Sequence, residues 1–140
     1  MALARQKLRE ITLQLLFSNI FVESKDEILI PFMMKQIKTT KKNVLTALDN
    51  VKNILDKTKI FDEDIKNTSI SYQFDRISKV ELSILRLALY EMVFDENIPC
   101  KVAMAEAIRL TKKFANKQSV SFVNAILDSI YHKKYEDRKK

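Results

Sequence analysis

Cys100 and His132 are the single cysteine and the single histidine of this 140-residue chain, and they bound its covalent chemistry. Cys100 follows Pro99, where a helix is expected to begin, and a thiol at a helix N-terminus loses its proton more readily. A nucleophile also needs a held base. His132 lies instead in the basic, polar stretch that ends the chain, so Cys100 reads as a small buried side chain. One cysteine and one histidine cannot build a zinc-finger-type site. Asp62, Glu63 and Asp64 lack the spacing of a calcium loop and read as the acidic start of a helix, where carboxylates complement the backbone dipole. Glycine is absent from the chain. That removes the P-loop and the dinucleotide fingerprint, both of which depend on it. No catalytic centre, metal or cofactor is expected.

Groups suited to binding are better represented. Twenty-five basic residues against 18 acidic ones leave a net charge of +7, which favours an anionic partner. Arg5 and Arg9 are four apart, with Lys7 between them, so both arginines fall on one face of a helix and can reach neighbouring phosphates. A solvated first turn is the alternative for the same residues. A second group, "RLTKKFANKQSVSF", holds Arg109, Lys112, Lys113 and Lys117 with no acidic residue, then Gln118 and Phe122. Cations for phosphates, an amide for hydrogen bonds and a ring for a base are what binding of single-stranded RNA requires. Phe122 borders the apolar stripe of Val123, Ile126 and Leu127, at about 100° from Val123 and about 40° from Ile126 on the helical wheel. It is therefore either a core residue or a partly exposed stacking platform.

The elements that must carry these groups read as helices throughout. The opening "MALARQKLREITLQLLF" places Leu8, Ile11 and Leu15 on one face, yet Leu13, Leu16 and Phe17 fall elsewhere, so its body is apolar nearly all round. Ser24 to Glu27 has the form of a capping box, and Pro31 soon after implies a late start or a kink. Val44, Ala47, Leu48, Val51, Ile54 and Leu55 line one face of a further helix. A second capping box, Ser78 to Glu81, opens "SKVELSILRLALYEMVF", which marks another central helix. Pro99 starts the next one, and the last is entered through Ser119 or Ser121. Glu91 and Glu106 are expected to pair internally, with Arg86 or Arg109 as the cations. About seven helices and an all-α fold follow, as a single domain over residues 1–133 with a basic, disordered tail over 134–140. No stretch is long and apolar enough for a membrane span, and one cysteine fits a reducing setting, so a soluble cytoplasmic protein is expected.

Three motifs in order resemble the NusB family of bacterial antitermination factors: "ILRLALYEM" (84–92), "IPCKVAMAEAIRLTKKF" (98–114) and "SVSFVNAILD" (119–128). The first helix, with Arg5, Arg9, Glu10, Gln14 and Phe17, is similar to that family's arginine-rich N-terminus. The resemblance implies two small helical bundles sharing the long N-terminal helix, whose body is core and whose tip binds RNA. It further implies a factor that binds the boxA element of nascent ribosomal RNA together with NusE, a small-subunit ribosomal protein. The RNA polymerase antitermination complex so formed suppresses premature termination in rRNA operons. RNA-binding residues are then Arg5, Lys7, Arg9, Lys113, Lys117, Gln118 and Phe122, and partner-binding residues are Glu81, Arg86 and Tyr90, polar groups on an otherwise apolar helix. A capping or internal ion-pair role is the alternative for each of the three.

The chain departs from the family pattern at Gln6, Ala105 and Ala125, and at Ala115–Asn116, where Asn116 is expected to supply left-handed helix-end geometry in place of glycine. Two further functional readings are an NusB-like RNA-binding domain of an rRNA cytosine methyltransferase and a purely protein-binding helical scaffold.

Overall fold

The computed structural model describes residues 5–21, 26–68 and 74–135. Among them are seven α-helices and no strand, so the all-α expectation holds. The chain divides into two compact units, Met1–Leu55 and Asp56–Lys140.

The first unit holds α1 (Arg5–Phe21), α2 (Asp26–Ile37) and nearly all of α3 (Lys41–Asp56). In α1, Ile11, Leu13, Leu15 and Leu16 are all buried, so more than one face of the helix is core, as its apolar circumference requires. On α3 the one-faced pattern is realised: Val44, Ala47, Leu48, Val51 and Ile54 are buried, and Leu55 is half-buried. The helix α2 runs through Pro31, which removes one intrahelical hydrogen bond but does not end it. The capping box at Ser24 lies outside the described residues. Lys38 closes α2 with φ 56°, and the Thr39 N–H donates to the Met34 carbonyl at 3.1 Å. That is a Schellman-type end, with lysine in the left-handed position that glycine ordinarily takes.

The second unit begins with α4 (Thr58–Thr68) and a 3₁₀ turn (Phe74–Arg76). It continues through α5 (Lys79–Val93), α6 (Cys100–Phe114) and α7 (Lys117–Ile130), ending in a π-helical turn (Tyr131–Tyr135). The central helix is α5: it packs on α4, α6 and α7, and buries Leu82, Ile84, Leu85, Leu87, Ala88, Leu89 and Met92. Its capping box is complete, with the Glu81 N–H donating to Ser78 Oγ at 3.1 Å and the Ser78 N–H donating to Glu81 Oε1 at 3.0 Å.

Several sequence expectations are corrected in this unit. Asp62, Glu63 and Asp64 do not open a helix; α4 starts at Thr58, and they lie in its middle. Tertiary cations, rather than the helix dipole, hold two of them. The last helix is entered through Asn116, whose side chain accepts from the Ser119 N–H at 2.9 Å. Asn116 is extended (φ −153°), so it caps the start of α7 and supplies no left-handed end to α6. The chain also stays packed beyond residue 133, since Tyr131 and Tyr135 are both buried.

Candidate nucleic-acid interface

The surface around Phe122 is built by the end of α6 and the start of α7. A short link, Ala115–Asn116, joins the two helices, and the Asn116 cap fixes where α7 begins. Val123, Ile126, Leu127 and Ile130 are buried, which pins the rotation of α7. Phe122 then falls at the edge of that stripe and is half-buried. Lys117 and Gln118, in the first turn of α7, are exposed, as is Ser121. Gln118 lies one turn before Phe122 on the same row, and helical side chains lean toward the N-terminus, so ring and amide stand side by side. Lys113 is exposed on the last turn of α6, with its ammonium 5.7 Å from the Phe114 ring centroid. The fold therefore brings Lys113, Lys117, Gln118 and Phe122 to one end of the α6–α7 pair.

The N-terminal cations divide. Arg5, Gln6 and Lys7 are exposed, whereas Arg9 is only 7 % exposed and Glu10 beside it is also buried. The face shared by Arg5 and Arg9 thus does not present both guanidinium groups to solvent. Burial gives Arg9 a packing role in α1 that helical spacing alone did not reveal.

The proposed partner residues on α5 all have internal partners. Glu81 is 9 % exposed and engaged in the capping box. Arg86 forms a two-pronged ion pair with Asp62 of α4, Nε to Oδ1 at 3.0 Å and Nη2 to Oδ2 at 2.8 Å. Tyr90 is half-buried and stacks on Phe94, with ring centroids 6.0 Å apart and planes at 29°. Glu106 pairs with Arg109 at 2.9 Å, one of the two cations expected for it.

Cys100 and His132, the two candidates for covalent chemistry, differ in exposure. The Cys100 thiol is buried and donates to the Met92 carbonyl at 3.5 Å. His132 is exposed, with Nε2 3.3 Å from Asp128 Oδ1. No group of three or more histidine, cysteine, aspartate or glutamate residues suited to a metal occurs among the described residues, nor does any helix long and apolar enough to cross a membrane.

Sequence reasoning missed the buried carboxylate of Asp64, which accepts from the Tyr135 hydroxyl at 3.0 Å and from the Lys134 ammonium. Its place beside Ile65 and three residues after Phe61, on the apolar side of a helical pattern, was the available signal.

Residues 6–132 match the model of the NusB family. The transcription antitermination protein NusB of Chlamydia pneumoniae is 39 % identical over 127 residues, covering 91 % of this chain and 79 % of that protein. Among solved structures, T. maritima NusB superposes with a TM-score of 0.80 at 28 % identity, covering 96 % of this chain and 95 % of the other. A crystal structure of the antitermination factors NusB and NusE in complex with dsRNA holds a chain of the same fold, with a TM-score of 0.77 at 22 % identity over 92 % of this chain and 96 % of that one.

Proposed function

The chain belongs to the NusB family, and from that premise we propose that it is a cytoplasmic, RNA-binding transcription antitermination factor acting with NusE. Its relatives are named as transcription antitermination proteins, not enzymes. In this reading the protein binds the boxA element of nascent ribosomal RNA, and the NusE heterodimer joins the RNA polymerase antitermination complex in rRNA operons. The observation that carries the reading is the half-buried Phe122 ring beside exposed Lys113, Lys117 and Gln118. Cations draw the phosphates, and a partly exposed ring stacks an unpaired base.

A similar chain has been crystallised with NusE and dsRNA. For this protein a stacking role for the half-buried Phe122 favours a single strand, because bases within a duplex are already stacked on each other.

The test is a titration of a single-stranded boxA leader RNA, with and without NusE, at two salt concentrations and against a duplex competitor. Tighter binding in the presence of NusE, weakened by salt and preferring the single strand, is the expected result. Binding of NusE with no RNA affinity at either salt concentration would leave a protein-binding scaffold instead.

A further inference from the structure

The basic character of α6 continues well beyond its last turn. Lys101, Ala105 and Lys112 are exposed, and Arg109 lies half-buried among them. At 100° per residue Lys101 and Lys112 are separated by about 20° on the wheel and about 16 Å along the axis. They therefore sit on one ridge parallel to the helix. The single acidic residue of α6, Glu106, points away from this ridge: it is buried, and its carboxylate is neutralised by Arg109 at 2.9 Å. Neither Lys101 nor Lys112 forms an ion pair among the described residues. Between them the ridge carries Ala105, whose short side chain leaves room for a backbone, and the half-buried Ile108.

Taken with the RNA reading above, on which it rests, this geometry has a specific consequence. We infer that the exposed ridge of α6, from Lys112 back to Lys101, carries the phosphates of nucleotides flanking the base held at Phe122. The ligand class is the sugar–phosphate backbone of single-stranded RNA. Lysines spaced along a helix serve it well, because such contacts position a strand without reading its sequence. The track ends near Lys101, since Asp95 and the exposed Glu96 in the loop before α6 repel phosphates beyond it.

Three leader RNAs test the inference: the minimal single strand that the protein binds, the same strand extended by several uridines at its 5′ end, and the same extended at its 3′ end. One extension, at one end only, is expected to tighten binding and to steepen the salt dependence by about 0.7 per added phosphate contact. Lys101→Ala is expected to remove part of that gain while leaving affinity for the minimal strand unchanged. Ala105→Glu, an exposed change to a good helix former, is expected to abolish the gain by placing an anion in the middle of the track. Circular dichroism of both variants should match the parent protein. If neither extension helps, or if Ala105→Glu retains the full gain, the ridge is a solvated face and the inference fails, while binding of the minimal strand stands. Failure of the parent protein to bind the minimal strand would instead remove the RNA reading itself.

Discussion

The Tyr135 hydroxyl donates to the buried carboxylate of Asp64 at 3.0 Å, joining residues 71 positions apart. Lys134, the preceding residue, places its ammonium on the other oxygen of the same carboxylate. The π-helical turn is thereby fastened to α4. A hydrogen bond to a charged group contributes about 1.5–3 kcal/mol, and Tyr135→Phe should cost stability on that scale in urea unfolding. Amide exchange in the last turn should accelerate more than exchange in α5.

The pair formed by Arg86 and Asp62 links α5 to α4, with side chains 12 % and 19 % exposed. Arg86→Ala leaves a largely desolvated carboxylate unpaired and is expected to cost about 2 kcal/mol. Arg86→Lys should recover little of it, because an ammonium cannot reproduce the two-pronged geometry. Co-purification with NusE distinguishes this internal role from a partner contact: stability should fall while NusE retention is unchanged. Glu81→Lys is expected to behave alike, losing about 1 kcal/mol through the capping box.

Arg5 and Lys7 are exposed and Arg9 is buried, so their substitutions should separate. Arg5→Ala with Lys7→Ala should reduce the slope of RNA affinity against salt by about 0.7 for each lost phosphate contact. Arg9→Ala should lower the denaturant midpoint and leave that slope nearly intact. Equal slopes in all three proteins would assign the N-terminal cations to solvation alone.

Phe122→Ala should lower RNA affinity by about 1–3 kcal/mol, the value of one stacked base. Its stability loss should fall short of the roughly 3–5 kcal/mol typical of a fully buried phenylalanine, because the ring is only half-buried. A calorimetric melt and an RNA titration on the same variant decide between platform and core.

Lys38 holds φ at 56°, a conformation that costs a side chain bearing Cβ about 1–2 kcal/mol. Lys38→Gly relieves that cost but loosens the unfolded chain, so a net gain of about 0.5–1 kcal/mol is expected. A raised urea midpoint with an unchanged m value would confirm it.

The features legible in advance are those set by neighbours a few residues apart. The Ser78–Glu81 cap, the buried row Val44–Ile54 and the Glu106–Arg109 pair all follow from helical spacing, because one turn brings such residues together whatever surrounds the helix. Phe122 was legible as a border residue for the same reason. The entry to α7 is not legible in the sequence, because serine and asparagine both cap helices well and the choice of Asn116 depends on where α6 ends.

The helical class, the apolar faces, the excess of positive charge and the absence of any glycine-built or multi-cysteine chemistry are all properties of composition or of local periodicity, and can be read without coordinates. Which charged groups stay available depends on packing between helices. Arg9 is buried, Asp62 is taken by Arg86, and Asp64 receives Lys134 and Tyr135 from the far end of the chain. Lys101, Lys112, Lys117 and Gln118 stay exposed. Burial and ion pairing follow from which helix faces meet, and packing joins residues that no spacing rule along the chain relates.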